Sequence, residues 1–362
     1  MLYLARLATS IAIIKVGALG DVVRTTSLLP ALRRVYPDMV LTWITCEAAL
    51  PLVAGNPDVA EAVTIESDDH RWRSARYDWL ISLDDDEALC RLASTLKTSR
   101  LSGAYWTGTE RAYTDDVEEW FGMGLLRPAS AGGIERANQL KRENNKSYAQ
   151  LLYSCLNLPG PIARPYIPIP ALARREARQW VKAHRLKEPL VALNTGAGAR
   201  WRFKSWGEDQ TAVLARHLAD LGVSVMVVGG SGEAERNRRI VAAADRPSVC
   251  AAPTDLELPS FAALIDQCNV YVTSDSLGLH LATALSKRTV VFFGPTSAAE
   301  IDLYGLGEKI VTPLGCRTCY LRDCDVRPHC MQSIPESRLL HATLNLLPHE
   351  LNTLVPAYGY GD

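Results

Sequence analysis

One stretch limits what this chain can fold into more than any other. Residues 269–296 read NVYVTSDSLGLHLATALSKRTVVFFGPT: an apolar run at 270–273, the polar trio Ser274-Asp275-Ser276, a helix-like segment through Leu285, and a second apolar run at 289–293. Strand, polar turn, helix and strand in that order make a parallel crossover unit, whose ligands gather at the carboxyl ends of the strands. Asp275 and Ser276 are suited to capping the helix, whose first backbone N–H groups would then face an anion. His280 follows within about one helical turn.

The same design opens the chain. Residues 11–36, IAIIKVGALGDVVRTTSLLPALRRVY, predict a short strand, a glycine turn at Gly17-Ala18-Leu19-Gly20, and an amphipathic helix beginning near Asp21. The glycines permit close backbone approach at a strand's carboxyl end. G-x-x-G-D is not G-x-G-x-x-G, and an aspartate there would repel a pyrophosphate, so dinucleotide binding is disfavoured. On composition alone Asp21 reads equally well as a helix cap.

Apolar clusters recur at 39–45, 59–65, 79–83 and 100–103, separated by polar or helical stretches, the alternation of a mostly parallel sheet. Residues 104–146 break the pattern, with Trp106, Trp120, Phe121 and a charged run at 135–146. A long irregular insertion of this kind reads as a functional loop or lid, or as a solvated surface excursion. Five prolines in the thirteen residues of LPGPIARPYIPIP (158–170) rule out helix and predict an extended tether. Beyond it helices at 171–186, 207–221, 233–243 and 260–267 alternate with strands at 189–195, 223–228 and 249–251, leading into the opening stretch. At 362 residues the chain is too long for most single cores. We expect an α/β protein with one Rossmann-like domain at 1–165, a second at 171–335, and a C-terminal helical segment at 336–362 that packs back across them.

With 40 acidic against 39 basic residues the formal net charge is −1, which argues against bulk nucleic-acid binding. No apolar run reaches the ~20 residues that span a bilayer, and the N-terminal one is interrupted by Lys15. This predicts a cytoplasmic protein, compatible with peripheral contact at the inner membrane. Of nine cysteines, Cys46, Cys90, Cys155, Cys250 and Cys268 sit in apolar or helical contexts and read as core fillers. Cys316, Cys319, Cys324 and Cys330 have the spacing C-x2-C-x4-C-x5-C in a turn-rich polar segment. That spacing suits a structural zinc or iron, reduced thiols packing the segment, or a regulatory disulfide.

Four motifs in order carry a family resemblance. IIKVGALGDVVRTTSLLPALRRVYP resembles the opening of the family 9 glycosyltransferases, the lipopolysaccharide heptosyltransferases. LNTGAGARWRFKSW, VVGGSGE and SDSLGLHLATALSKRTVVFFGPT resemble that family's later elements. The resemblance implies a GT-B fold, two Rossmann-like domains facing a central cleft. It implies an inverting, metal-independent transfer of heptose from ADP-heptose, as the nucleotide-sugar substrate, to an acceptor hydroxyl. A lipopolysaccharide core or related glycan is the expected acceptor, with a protein or small molecule as alternatives. The family usually has glycine directly after its Asp-Ser/Thr pair, whereas Leu277 stands there and Gly278 follows.

By the same resemblance Asp21 is the general base that takes the acceptor proton, and Lys204 meets the donor phosphates. Glu233 binds the ribose hydroxyls, Asp275 accepts from the donor sugar, and His280 lines the site. Backbone groups of Ser276, Leu277 and Gly278 would face the phosphates at the helix N-terminus. Thr195, Gly196 and Ala197 are expected to form the opposite lip. Two other classes fit the pattern without the resemblance: a non-catalytic nucleotide-sugar-binding or redox-sensing module, and a NAD-dependent oxidoreductase or sugar-nucleotide epimerase.

Overall fold

The β-branched and apolar runs of the first half pair into one sheet. In the computed structural model, which describes residues 8–347 apart from the side chains of 199, 200 and 202, the strands are β1 (Ser10–Ile14), β2 (Val40–Thr45), β3 (Glu61–Thr64), β4 (Arg76–Ser82), β5 (Lys97–Trp106) and β6 (Arg111–Tyr113). Their order is β3-β2-β1-β4-β5-β6. The first five are parallel and β6 is antiparallel to β5. Ile11 to Ile14 of β1 are fully buried, as expected of a central parallel strand covered on both faces.

The second half builds the same sheet again from β7 (Leu190–Asn194), β8 (Ser224–Val228), β9 (Val249–Ala251), β10 (Val270–Ser274), β11 (Arg288–Phe293) and β12 (Gly307–Val311). The order is β12-β11-β10-β7-β8-β9, all parallel. Numbered from each unit's own first strand, both sheets run 3-2-1-4-5-6 when the second is read by position, the doubly wound order of Rossmann folds. The chain divides into Met1–Pro168 and Ile169–Asp362. The order reverses between β1 and β4 in the first unit and between β7 and β10 in the second, which is where open α/β sheets bind ligands.

Several expectations need correction. Residues 104–146 are not irregular: β5 continues through Trp106 into a hairpin with β6, and the helix Gly133–Glu143 follows. Tyr113 of the hairpin stacks on Phe121, with ring centroids 4.7 Å apart. The helix after β1 begins at Leu19 with Ala18 as its N-cap, so Gly20 lies inside the helix and Asp21 in its first turn rather than at the cap. The proline-rich segment is extended but not a free tether. Arg34 donates to the carbonyls of Pro159 and Pro161, and the Tyr166 amide donates to the Thr26 hydroxyl at 2.9 Å. The helix Glu336–Leu346 packs on the helix Glu208–Asp220 and on β10 to β12, all within the second unit. The rest of the expected C-terminal segment, 348–362, lies outside the described residues.

Candidate active site

In the second unit the ends of β7, β8 and β10 surround a cavity of about 310 Å³. It is lined on one side by Asn194 and Gly196 to Gly198, on another by Gly229, Gly230 and Glu233, and on a third by Ser276, Leu277 and Gly278. The size suits a small ligand. Thr254, Leu256, Leu258 and Phe261 close it with mostly apolar surface. These four lie between the motifs, in PTDLELPSF, where no local pattern marks them as ligand-facing.

Each predicted lining residue has a local reason for its place. Glu233 turns back so that its Oε2 accepts from the Gly230 amide at 2.8 Å. Its carboxylate lies over the Cα of Gly196, where a Cβ would stand 2.8 Å from Oε2, so a side chain at 196 would displace Glu233. Thr195 differs from expectation. Its side chain points into the core, donating to Asn237 Oδ1 at 2.5 Å, so the lip begins with Asn194 instead. Asn194 was not anticipated, and it has a structural role. Its amide donates to the Gly196 carbonyl, to Thr273 Oγ1 and to Ser276 Oγ at 2.9, 2.9 and 3.0 Å. One side chain thus ties the loop after β7 to the loop after β10.

Ser276 is the N-cap of the helix Leu277–Ala284, yet its hydroxyl is engaged by Asn194 and Thr273 and makes no capping bond. The first N–H groups of that helix therefore stay open toward the cavity, the arrangement that suits an anion. Leu277 is the first helical residue and requires no glycine-only torsion. Gly278 is glycine for another reason: a Cβ there would collide with the Tyr271 hydroxyl.

Asp275 is not a cap either. Its Oδ2 accepts from Lys204 Nζ at 2.8 Å, and its Oδ1 lies 3.8 Å from His280 Nε2. Burial alone would raise its pKa, but Lys204 and then His280 outweigh that and hold the carboxyl well below its usual range. Lys204 also donates to the Asp275 carbonyl and stands 5.2 Å from the Trp201 ring centroid. Lys204, Asp275 and His280 therefore form one charged group at the carboxyl end of β10.

In the first unit Asp21 pairs with Arg24 at 3.0 Å and lies 3.9 Å from Lys15 Nζ. Arg24 sits over the Tyr148 ring at 3.8 Å and near Trp120 at 5.5 Å, so the insertion's Trp120 and Tyr148 just beyond it flank the Asp21–Arg24 pair. Lys15 and Asp84 form an ion pair, both side chains more than nine-tenths buried. The pair is formed by sheet adjacency, and no local sequence signal links residues 69 positions apart.

The four clustered cysteines lie between β12 and the helix Glu336–Leu346. Among the described residues no three His, Cys, Asp or Glu side chains converge on one point as a metal needs. Cys330 is buried against Gly294, while Cys316 is exposed. Burial pushes the Cys330 thiol up to about 11, with the neighbouring thiols adding to it, so it stays protonated at neutral pH.

Two doubly wound units in one chain are the architecture of the GT-B fold, which the heptosyltransferase structures below share. Residues 137–328, more than half of the chain, match glycosyltransferase family 9 (heptosyltransferase), and the chain belongs to that family. It is 25% identical over 340 residues to lipopolysaccharide heptosyltransferase 1 of Pseudomonas aeruginosa, covering 88% of each chain. The fold is shared with the family 9 glycosyltransferase of Veillonella parvula, at a TM-score of 0.74 and 18% identity, covering 94% of this chain and 97% of that one. It is shared also with Escherichia coli heptosyltransferase WaaC with ADP-2-deoxy-2-fluoro heptose, at 0.58 and 17%, covering 92% and 98%. Among the described residues no helix is long and apolar enough to cross a membrane.

Proposed function

We propose that the chain transfers a heptose from ADP-heptose to a hydroxyl of a lipopolysaccharide core or related glycan, with inversion, at the cytoplasmic face of the inner membrane. The observation that carries this is the second unit's cavity, which joins an open helix N-terminus to Glu233. Family membership and the relatives' names supply the sugar and the acceptor class.

The chemistry divides between the units. In the second, Glu233 accepts from the two ribose hydroxyls, and the amides of Leu277 and Gly278 face the diphosphate. Lys204 offsets the charge that grows on the departing ADP, so positive charge for the leaving group comes from the chain itself. Asp275 orients Lys204 and accepts from the sugar hydroxyls, and His280 lines the site beside it. In the first, Asp21 takes the acceptor proton as the oxygen bonds to the anomeric carbon. A carboxylate is a weak base, but the hydroxyl becomes far more acidic as that bond forms. A single displacement with one base inverts the anomeric centre.

A thermal-shift panel tests the donor class. ADP and ADP-sugars are expected to raise the melting temperature more than UDP, GDP or NAD at equal concentration. Equal or larger shifts with UDP or GDP would reassign the donor, and a shift with NAD alone would favour an oxidoreductase.

A further inference from the structure

We infer that Lys15 and Asp84 are positioning residues for Asp21: Asp84 fixes the turn that carries Asp21, and Lys15 sets a positive charge between the Asp21 and Asp84 carboxylates. This rests on the reading of Asp21 as the base and adds what holds it ready.

The argument begins with the sheet. β1 and β4 are neighbours with Ile14 opposite Ser82, so the residues just beyond their carboxyl ends meet at the point where the strand order reverses. Lys15 is the first residue past β1 and Asp84 the second past β4. Asp84 Oδ1 accepts from Lys15 Nζ, and Asp84 Oδ2 accepts from the Val16 amide and, at 3.4 Å, from the Gly17 amide. One carboxylate therefore grips three donors of the segment 15–17, which leads directly into the helix bearing Asp21. Lys15 Nζ also donates to the Gly17 carbonyl, closing the turn from its other side.

The lysine is too enclosed to serve as a freely moving ligand group. It is 4% exposed and lies between Asp84 and Asp21, with Asp21 Oδ2 at 3.9 Å. The helix is held in turn, because Thr25 Oγ1 donates to the Asp21 carbonyl at 2.6 Å and meets Tyr148 Oη at 2.6 Å. Charged and titratable groups around Asp21 include Lys15 at the end of β1, Arg24 on its own helix, Asp84 after β4 and Tyr148 on the helix Tyr148–Cys155. Lys15 and Arg24 are the cations that pair with it. Burial by itself would lower the Lys15 ammonium, and Asp84, then Asp21, outweigh it and raise it. Burial raises Asp84 against the pull of Lys15. Without Lys15, Asp21 would lose the cation that lies between it and the Asp84 carboxylate.

The test reads Asp21 directly. In full-length protein labelled with 13Cγ-aspartate, the resonance lost in Asp21→Asn identifies Asp21, and its titration midpoint is followed in wild type and in Lys15→Met. Lys15→Met is expected to raise the midpoint by about one pH unit, a tenfold gain in proton affinity. Lys15→Arg is expected to restore most of the wild-type value. If Lys15→Met does not fold, Lys15→Met/Asp84→Leu, which removes the pair together, is expected to shift the midpoint in the same direction by less. Unchanged ADP affinity in each variant shows that the second unit is intact. A midpoint that stays put or falls in a folded variant overturns the inference. An Asp21→Asn enzyme with full turnover would instead overturn the base assignment and leave this coupling measurable.

Discussion

Each unit has a lysine–aspartate pair at the point where its strand order reverses, and the two pairs are tuned in opposite directions. Lys15–Asp84 in the first unit is enclosed, with both side chains under one-tenth exposed; Lys204–Asp275 in the second is somewhat more open, at 13% and 18%. Burial dominates at Asp84 and raises its carboxyl, while at Asp275 the lysine and His280 prevail and lower it. The difference follows from neighbours. Burial raises both carboxyls; at Asp275 Lys204, His280 and the Thr296 hydrogen bond outweigh it, whereas at Asp84 Lys15 and the Val16 amide do not, and the like charge of Asp21 adds a smaller push. The same supersecondary unit thus yields a pair that braces another residue in one place and a pair placed beside a ligand cavity in the other.

Removing the residue that the first pair serves gives the largest expected effect. Asp21→Asn should lower turnover by about 10²–10⁴, the usual contribution of a general base, with ADP affinity unchanged in calorimetry. A matching loss of ADP affinity would erase the division of labour between the units.

Acid sharpens the contrast between the two carboxylates. Asp275 has a folded pKa below its ordinary value of 3.8, so its stabilisation is complete above that value and lost as pH falls beneath it. Asp84 has a folded pKa above 3.8, so its contribution is present below that value and lost as pH rises through the folded one. Asp275→Asn should therefore cost about 1.5–3 kcal/mol at pH 7 and progressively less below pH 4, the scale of hydrogen bonds to a charged group. Native-state hydrogen exchange of β10 amides reads it. A penalty that does not change with pH would mean that Asp275 acts through shape and not charge.

A smaller effect isolates packing at the second site. Gly278→Ala should destabilise by about 1–3 kcal/mol because its methyl group meets the Tyr271 hydroxyl, and Tyr271→Phe should relieve part of this. Urea unfolding of the single and double variants measures the coupling. Equal penalties with and without the hydroxyl would assign the glycine to backbone freedom instead.

The fold was legible where burial makes a strand continuously apolar. VYVTS and RTVVFF became β10 and β11 because both faces of a parallel sheet are covered. β12, GEKIV, escaped notice because it is an edge strand, mostly partly or fully exposed, with glycine, glutamate and lysine in it. The hairpin of β5 and β6 was hidden for a related reason, since Arg111, Ala112 and Tyr113 are each only half-buried. At the site, the glycines, Asp21, Asp275 and Glu233 stood out because local turns and helix starts constrain them. Asn194, the Tyr271–Gly278 contact and the Lys15–Asp84 pair did not. The contacts of Asn194 and the Lys15–Asp84 pair depend on which strands become neighbours, which no single stretch records, and the Tyr271–Gly278 contact depends on how the helix after β10 packs back onto that strand. Thr195 shows the converse, a residue inside a recognisable motif whose hydroxyl serves the core.

The account stands on the proposal that the second unit binds the ADP-sugar, with Lys204, held by Asp275, meeting its phosphates. Isothermal titration of ADP into wild type and Lys204→Met tests this most directly. The expected result is saturable one-site binding that Lys204→Met weakens by about 10–100-fold, equivalent to about 1.5–3 kcal/mol for a charged hydrogen bond. Identical affinities in the two proteins, or equally tight binding of UDP, would contradict it.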